Sequence, residues 1–346
     1  MKKIKVGLVG YGFSGSTFHA PFISALDEFE MTKVVSSKKE EVKRDLGNVE
    51  VVSSLDEVLK DELIDLVVIT TPSGMHYEMA KQSLEAGKHV ILEKPMVVET
   101  REAEELIKIA EEKNLLLSVY HNRRWDNDFL TVKKLINDGV LGEINTYQVH
   151  FDRYRPEVRN RWREKEGPGS GMLYDLGSHL IDQALSLFGQ PRFISADVIA
   201  QRENSVTDDY FHIILGYDKL RVILHSGSII PSNGPRFQVH GNKGSFIKYG
   251  IDGQEAALKE GKKPTEQPWG TDEPQLYGKL YTVEGEKEIE ETIETIPGSY
   301  TTYYKKIAES ILTGSDAPVT GKDGLSVIKI IEAALKSSKE KKVIYL

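Results

Sequence analysis

The sequence contains no cysteine among its 346 residues. This absence excludes disulfide bonds, thiol nucleophiles and the cysteine-ligated zinc and iron–sulfur sites. Long apolar runs are also missing, since no segment approaches the ~20 residues that a helix needs to span a bilayer. The N-terminal residues enter a strand pattern at once, which leaves no room for the apolar region of a signal peptide. We therefore expect a cytoplasmic protein with no membrane partner.

A surplus of positive charge is absent as well. Lys and Arg number 45 while Asp and Glu number 53, which gives a formal net charge of -8. Proteins that bind nucleic acid usually present a basic face, so we expect no nucleic-acid partner. With 39% hydrophobic and 28% charged residues, the composition is that of a globular protein. The length exceeds what one ordinary core fills and predicts two domains.

The first third of the chain alternates short β-branched runs with helical stretches, the clearest helices being Met75–Ala86 and Thr100–Lys113. This alternation predicts an α/β fold, with βαβ units and a doubly wound parallel sheet. We assign residues 1–121 to a dinucleotide-binding Rossmann domain. Its six predicted strands are Ile4–Val9, Thr32–Val35, Val49–Val52, Leu66–Ile69, Val90–Leu92 and Leu115–Val119.

In residues 122–346 the strands follow one another with few helices between them, which predicts an α+β domain with a mainly antiparallel open sheet. Gly250–Glu273 is predicted to be a long loop, and helices are predicted at Tyr300–Leu312 and Leu325–Lys336. Few helices remain to cover both faces of the sheet, so we expect a homodimer or homotetramer. The predicted strands are Glu143–Phe151, Ile194–Arg202, Phe211–Leu215, Val222–Ser228 and Phe237–His240.

A glycine-rich turn follows the first predicted strand. Gly10, Gly12 and Gly15 form the pattern G-x-G-x-x-G, with Phe13 and Ser14 between the last two glycines. In this pattern the first glycine allows a tight turn, the second lets a pyrophosphate approach the backbone, and the third lets helix and strand pack closely. The helix then offers free N–H groups to the phosphates. The strand–turn–helix context favours dinucleotide binding over a purely structural turn.

The residue that usually selects NAD is missing. About 20 residues after such a fingerprint, an Asp or Glu commonly binds the 2′-hydroxyl of the adenosine ribose. Here the second strand ends in Ser36, Ser37 and Lys38, which offer two hydroxyls and an ammonium to a 2′-phosphate. We therefore predict NADP as the cofactor, with NAD as the alternative. The alternative stands because Lys38 could simply open a solvated helix beside Glu40 and Glu41.

Two further motifs end the fourth and fifth strands, Thr-Thr-Pro-Ser at Thr70–Ser73 and Glu-Lys-Pro at Glu93–Pro95. With them the chain resembles the Gfo/Idh/MocA oxidoreductases, which include glucose–fructose oxidoreductase, inositol dehydrogenases and dihydrodiol dehydrogenase. The resemblance extends from the fingerprint to the helix that carries Asp175 and His179. Within the family the chain looks most like the bacterial NADP-dependent scyllo-inositol dehydrogenase type. It departs from the NAD-using members by the missing acid near Ser36.

The resemblance implies roles for residues in both predicted domains. Lys94 matches the family's active-site lysine, and Pro95 follows it, often through a cis peptide bond. Asp175 and His179 match the family's Asp-x-x-x-His pair. Tyr154 is implied to lie near the nicotinamide and the substrate, which makes Lys94, Tyr154, Asp175 and His179 the implied substrate residues. The other residues implied to contact the cofactor are Thr71, Pro72, His76, Glu93, Lys94, Arg124, Trp162 and Arg163.

The residues themselves support a catalytic set. A helix over Gly171–Phe188 would place Asp175 and His179 one turn apart, although such pairs are also common on exposed helix faces. Lys94 lies at the carboxyl end of a Rossmann strand, where ligands bind. Neutral His179 can accept a hydroxyl proton near neutral pH, and Lys94 can stabilise the developing alkoxide. Asp175 can bind a neighbouring hydroxyl and hold Lys94 or His179 in the required charge state.

No metal is expected in this protein, because no cysteine and few other ligands are available and the adjacent ammonium of Lys94 would repel a cation. A second unusual segment, residues 153–163, carries five arginines in eleven positions. These arginines could bind the cofactor phosphates or an anionic substrate. They could equally form salt bridges with nearby carboxylates such as Asp152 and Glu164.

We therefore expect an NADP-dependent enzyme that transfers a hydride between nicotinamide and a secondary alcohol or ketone of a polyol, cyclitol or sugar. The alternatives are an NAD-dependent sugar dehydrogenase or dihydrodiol-dehydrogenase-like enzyme, a glycosidase that uses bound NAD, and a non-catalytic regulator that senses the cofactor. Glycosidases of this kind tend to be exported and NAD-preferring. A regulator would have little need to retain Lys94, Asp175 and His179 together.

Overall fold

The computed structural model describes residues 3–346 as two compact units. The first unit contains the chain up to Asn122 together with Gln254–Trp269 and Ser299–Leu325. The second unit contains the remaining segments, including Arg123–Gly253. The predicted domain boundary between residues 121 and 122 stays a prediction. Two later segments, Gln254–Trp269 and Ser299–Leu325, pack with the first unit. Among residues 3–346, no helix has both the length and the apolar character required to cross a membrane.

A six-stranded parallel sheet forms the centre of the first unit, with strand order β3-β2-β1-β4-β5-β6. This is the doubly wound sheet that the sequence predicts. Its central strands are buried on both faces, which explains why they read as continuous apolar runs rather than alternating ones. The strands are β1 (Ile4–Val9), β2 (Phe29–Val35), β3 (Glu50–Val52), β4 (Leu66–Ile69), β5 (His89–Leu92) and β6 (Leu117–Val119).

The second unit contains a nine-stranded sheet, with order β14-β13-β12-β11-β7-β10-β9-β8-β15. Only the pairing of β7 with β10 is parallel, which confirms the prediction of a mainly antiparallel sheet. The strands are β7 (Ile144–His150), β8 (Phe193–Ile199), β9 (Tyr210–Gly216), β10 (Arg221–Gly227), β11 (Phe237–Gly241), β12 (Gly244–Lys248), β13 (Gly278–Glu284), β14 (Lys287–Ile293) and β15 (Ile344–Tyr345).

Ten α-helices are present among the described residues. Two of them, α1 and α7, continue a five-residue π-helical turn, at Gly15–His19 and Leu173–Gly177 respectively. The helices are α1 (Ala20–Ala25), α2 (Lys39–Leu46), α3 (Leu55–Leu59), α4 (His76–Glu85), α5 (Thr100–Glu112), α6 (Asn127–Asn137), α7 (Ser178–Phe188), α8 (Gln254–Lys259), α9 (Tyr300–Thr313) and α10 (Gly321–Glu340).

The loop predicted at Gly250–Glu273 is wrong in part, because the short helix α8 lies within it. Six residues of helix are too few to produce a clear period in the sequence, and the flanking glycines and lysines conceal them. Strands β12, β13 and β14 were not predicted either. Most side chains of β14 are exposed and charged, so the strand lacks the apolar alternation by which strands are recognised.

Aromatic packing explains why α9 belongs to the first unit. Tyr300, Tyr303 and Tyr304 of α9 are fully buried. The ring of Tyr304 stacks on Phe22 of α1, with centroids 6.1 Å apart, and the ring of Tyr303 lies edge-on to Tyr120 at 4.9 Å. Large aromatic side chains contribute much of the buried apolar area of a core. The nucleotide-binding unit is therefore completed by residues far along the chain.

In the second unit, the two faces of the sheet differ. Tyr147 and Val149 of β7 are buried, and the ring of Tyr147 contacts Phe188 of α7 at a centroid distance of 5.3 Å. Helix α7 therefore covers this face. Because strand side chains alternate, Gln148 and His150 lie on the opposite face, where both are partly exposed.

Candidate active site

The glycine-rich turn between β1 and α1 has the geometry of a phosphate-binding loop. Gly10 has φ +99°, a conformation that side chains rarely adopt, and the Thr70 hydroxyl donates to its carbonyl oxygen at 2.9 Å. A Cβ atom on Gly15 would overlap the Gly10 carbonyl oxygen. A Cβ on Gly12, in contrast, would meet no atom within 4 Å. In fingerprints of this kind the pyrophosphate approaches the backbone at the second glycine, and the open space beside Gly12 fits such an approach.

A cleft of about 500 Å³ extends from this turn to the end of β2. Within it, the Ser36 hydroxyl accepts a hydrogen bond from the Lys38 amide at 3.0 Å. The Lys38 ammonium forms an ion pair with Glu41 at 2.9 Å, and both side chains are about half exposed. The cleft is lined by Val9, Gly10, Tyr11, Gly12, Val35, Ser36, Ser37, Lys38, Ser53, Ser54, Leu55, Thr71, Met75 and Met79.

Glu93, directly after β5, is a buried carboxylate with several hydrogen-bond partners. It lies within hydrogen-bonding contact of the Ser14 hydroxyl and His19, and it accepts the Lys94 amide at 2.9 Å. Burial by itself raises its pKa, but the hydrogen bond and charge of His19, the charge of Lys94 and the Ser14 hydroxyl lower the pKa to about 2. Glu93 is therefore ionised at neutral pH and supplies a buried negative charge next to Lys94.

A hydrogen-bonded chain continues from Glu93 into α9. The Nε2 atom of His19 lies 3.1 Å from Glu93, and its Nδ1 atom lies 2.6 Å from the Tyr304 hydroxyl. Both His19 and Tyr304 are fully buried, and burial raises the pKa of Tyr304 well above its usual value. The tyrosine therefore stays protonated. The resulting arrangement of Tyr304, His19 and Glu93 holds the carboxylate in one orientation.

Lys94 lies in a closely held loop. Its side chain is almost fully buried, and the peptide bond to Pro95 is cis, as the family resemblance implies. His76 connects this loop to the preceding one, since its Nδ1 lies 2.9 Å from the Pro95 carbonyl and its Nε2 lies 2.9 Å from the Thr71 carbonyl. Burial lowers the pKa of His76, and these bonds oppose that shift. His76 therefore has a positioning role in the structure, while Pro72 and Phe13 are exposed.

In the second unit, Asp175 lies in the π-helical turn that precedes α7, and His179 lies in the first turn of α7 itself. The Asp175 carboxylate forms ion pairs with Arg163 at 3.2 Å and with Arg153 at 4.0 Å. His179 is only 6% exposed. The predicted helix over Gly171–Phe188 thus exists, but its first turn is π-helical rather than α-helical.

Asp208 is a residue beside the candidate site that the sequence motifs did not predict. Its carboxylate accepts the backbone N–H of Leu173 at 2.7 Å and so caps the helix that carries Asp175. A Cβ on Gly171, which has φ +94°, would overlap this carboxylate. Burial raises the pKa of Asp208 to about 6, although backbone hydrogen bonds oppose the shift. Its position 33 residues after Asp175 gives no sequence signal for this contact.

The remaining predicted residues of the second unit have mixed surroundings. Arg124 forms two hydrogen bonds to Asp182 of α7, at 2.8 and 2.7 Å. The Arg163 guanidinium lies over the Trp162 ring at 4.4 Å, whereas Tyr154 is 60% exposed.

In the arginine-rich segment, three arginines form salt bridges with nearby carboxylates. Arg153 and Arg163 pair with Asp175, and Arg161 pairs with Glu164. Arg155 lines the same small pocket as Asp175, and burial together with the neighbouring arginines lowers its pKa.

Two family models match the chain and together cover most of it. Residues 4–121 match the NAD-binding Rossmann fold of the Gfo/Idh/MocA oxidoreductase family. Residues 133–346 match the C-terminal alpha/beta domain of the same oxidoreductase family.

The chain is also similar to individual proteins over its full length. It is 59% identical to the scyllo-inositol 2-dehydrogenase (NADP(+)) IolW of Bacillus subtilis, covering 99% of this chain and 96% of that protein. The solved structure of the Bacillus subtilis oxidoreductase yvaA superposes with a TM-score of 0.98 at 59% identity, over 99% of this chain and 98% of that one. The YPO2259 oxidoreductase of Yersinia pestis superposes with a TM-score of 0.95 at 42% identity, over 99% and 97% of the two chains.

Proposed function

Because the chain belongs to the Gfo/Idh/MocA oxidoreductase family, we propose that it is an NADP-dependent dehydrogenase of a cyclitol, with scyllo-inositol as the first candidate. The observation that carries this proposal is the 59% identity to a scyllo-inositol 2-dehydrogenase that uses NADP, over 99% of the chain. The phosphate-binding turn at Gly12 and the fixed Glu93–Lys94 loop support it. A wider range of polyols and sugars is the alternative substrate class.

The residues around the dinucleotide cleft favour NADP. The cleft ends at two serine hydroxyls and the Lys38 ammonium, donors that suit a 2′-phosphate. Among the described residues, the acidic partner of Lys38 is Glu41, which is half exposed on the first turn of α2. An exposed pair of this kind stabilises by at most about 1 kcal/mol, so a phosphate can displace Glu41 readily.

We assign the chemical roles to three residues. When bound, the nicotinamide accepts the hydride that leaves the alcohol carbon or returns it to the ketone. His179 takes the hydroxyl proton as general base. Lys94 donates a hydrogen bond to the same oxygen and stabilises its developing negative charge. Asp175, held by Arg163 at 3.2 Å, binds an adjacent hydroxyl of the substrate.

Glu93 supplies a negative charge beside Lys94 in this proposal. Its carboxylate is buried and ionised, and the charge of Lys94 is one of the interactions that lower its pKa. The same attraction helps to hold the Lys94 side chain in place as a hydrogen-bond donor to the substrate oxygen.

A substrate screen tests the proposal. The purified chain is mixed with NADP or NAD and with scyllo-inositol, other inositols, linear polyols and aldoses, and the absorbance of the reduced cofactor is followed. We expect the highest kcat/KM with NADP and a cyclitol. A chain that binds NADP without turning over any of these alcohols would instead favour the cofactor-sensing regulator.

Variants of His179 and Lys94 test the assigned roles. His179→Ala should lower kcat by about 10²–10⁴-fold, the usual contribution of a positioned general base. The rising limb of the pH profile for oxidation should disappear in this variant, while NADP affinity stays unchanged. Lys94→Ala should lower kcat with little effect on NADP affinity. The increase in activation free energy in the double variant should be smaller than the sum of the increases in the two single variants. A His179→Ala enzyme with an intact pH profile would identify another base, with Lys94 or Tyr154 next in order.

We also propose that the chain forms a homodimer or homotetramer and works in the cytoplasm. The support for assembly is the sheet face of the second unit that lies opposite α7. Ile214 of β9 and Ile223 of β10 are partly exposed there, directly opposite each other in the sheet register. Cytoplasmic residence is supported by sequence features alone, and cell fractionation tests it.

A further inference from the structure

Three histidines form a row across the sheet face opposite α7. His225 of β10 lies directly opposite His150 of β7 in the parallel pairing and directly opposite His212 of β9 in the antiparallel pairing. The ring centroids of His225 lie 4.8 Å from those of His150 and 5.7 Å from those of His212. Asp152 follows His150 by two residues, so both side chains lie on the same side of the strand.

The donor atoms of this cluster converge. The Asp152 carboxylate places Oδ2 3.2 Å from His150 Nδ1 and Oδ1 3.5 Å from His225 Nε2. One ligand atom from each of the three residues lies within 4.8 Å of the others. In a tetrahedral site with metal–ligand distances of about 2.0–2.2 Å, ligand atoms stand roughly 3.3–3.6 Å apart. The two carboxylate–imidazole distances are close to this spacing, and side-chain rotation would have to bring the remaining pair, which lies within 4.8 Å, to the same spacing.

The carboxylate of the cluster is buried. The Asp152 side chain is only 5% exposed, and its partners among the ion pairs of the described residues are the two imidazoles. Its Oδ1 atom also accepts the Gly227 amide at 3.2 Å. A bound cation would place a positive charge beside this carboxylate and use the imidazole lone pairs.

We propose that His150, Asp152 and His225 form a binding site for a divalent first-row transition-metal cation of the zinc class. Two imidazole nitrogens and one carboxylate oxygen are ligands that this class prefers, whereas Mg²⁺ and Ca²⁺ prefer oxygen alone. Water or His212 completes the coordination. The site is structural: it binds strands β7 and β10 together on the face opposite the helix that carries His179.

This site departs from the prediction that the protein holds no metal, and none of its ligands belongs to the catalytic set. It also does not depend on the proposed dehydrogenase activity, because none of its three ligands has a role in that reaction. The residues are 75 positions apart along the chain and become neighbours only through the register of β7 and β10. No spacing motif in the sequence could have indicated them.

Calorimetric titration of the full, tag-free chain with Zn²⁺, after treatment with a chelator, tests the site. We expect one Zn²⁺ per chain. His225→Ala should weaken Zn²⁺ binding by more than about 10-fold, because even outer-sphere partners of a metal contribute about 10–100-fold to affinity. The matched control is His240→Ala, since His240 is partly exposed on the same sheet face but hydrogen-bonds to Ser245 at 2.8 Å, outside the cluster. This control should leave the affinity unchanged.

Asp152→Asn provides a second variant that preserves the shape of the side chain and removes its charge. It should also weaken Zn²⁺ binding, and Zn²⁺ should raise the Tm of the wild type but not of this variant. A wild type that takes up no stoichiometric Zn²⁺ would overturn the proposal even if His225→Ala fails to fold. Equal Zn²⁺ affinity in the wild type, His225→Ala and Asp152→Asn would overturn it as well.

Discussion

At the scale of single residues, Lys38 is the side chain on which we propose that cofactor selection depends. Its ammonium forms an ion pair with Glu41 at 2.9 Å. Binding of a 2′-phosphate would replace this carboxylate with a more strongly charged partner. We expect Lys38→Ala to weaken NADP binding by about 1.5–3 kcal/mol, the contribution of one charge-assisted hydrogen bond, and to leave NAD binding nearly unchanged. Fluorescence titration of the variant with both cofactors measures the two affinities.

The neighbouring residues provide the controls for this prediction. Lys39→Ala removes an equal charge from the exposed start of α2 and should change neither affinity by more than a few tenths of a kcal/mol. Glu41→Gln removes the competing carboxylate and should tighten NADP binding slightly. Equal weakening of NAD and NADP in Lys38→Ala, or tighter NAD binding by the wild type, would show that this lysine does not contact the 2′-phosphate.

Motifs predicted some residues of the candidate site and missed others for a physical reason. Glu93 and Lys94 follow a recognisable strand and form a contiguous motif, so their position was predictable. His19 lies only four residues after the fingerprint, but its role depends on the Tyr304 hydroxyl, 285 positions away. The Asp208 carboxylate reaches the start of the helix that carries Asp175 only because Gly171 leaves space for it. Such contacts arise from tertiary packing, which local patterns do not encode.

At the scale of elements, the turn between β1 and α1 contains two glycines that we expect to be needed for different reasons. Gly15 is needed for packing of the turn, and Gly12 is needed for cofactor binding. Gly15→Ala would force its Cβ against the Gly10 carbonyl and to 2.9 Å from the Thr70 hydroxyl, so we expect a loss of stability of about 1–3 kcal/mol. Gly12→Ala meets no neighbouring atom, so its stability should be close to that of the wild type. Its new methyl group would instead occupy the space for the pyrophosphate and abolish NADP binding.

Urea denaturation and NADP titration of the same two variants measure both effects. Each of the two variants serves as the control for the other, because each adds one methyl group within the same turn. A Gly12→Ala protein that binds NADP normally would mean that the pyrophosphate does not approach this residue. A stable Gly15→Ala protein would mean that the turn relaxes at little cost.

The elements themselves were predicted well where they bury a regular apolar pattern. All six strands of the parallel sheet and the helices α4, α5 and α9 were predicted close to their observed bounds. The misses are short or exposed elements such as α8 and β14, whose sequence carries no period. The π-helical turn at Leu173–Gly177 was missed because one additional residue per turn leaves no mark in an amphipathic pattern.

At the scale of the whole molecule, oxidoreductase membership and the two-part architecture are confirmed, while assembly stays a prediction. We expect light scattering to give a multiple of the 38.9 kDa chain mass at micromolar concentration. Ile223→Glu places a charge on the sheet face opposite α7 and should shift the protein toward the monomer, because burying an unpaired charge is costly. Lys219→Glu changes an exposed residue just before β10 and should leave the molecular mass of the assembly unchanged. A wild-type monomer would refute the prediction.

The first unit is assembled from three separated segments of the chain, and this has a consequence for biosynthesis. When Asn122 has left the ribosome, all six strands of the parallel sheet exist, but His19 still lacks Tyr304 and the core around Phe22 is open. At about 5–20 residues per second, α9 emerges roughly 10 to 40 s later. During that interval the nascent nucleotide-binding sheet exposes an aromatic surface that a chaperone would recognise, and a transcript truncated before α9 would leave that surface uncovered.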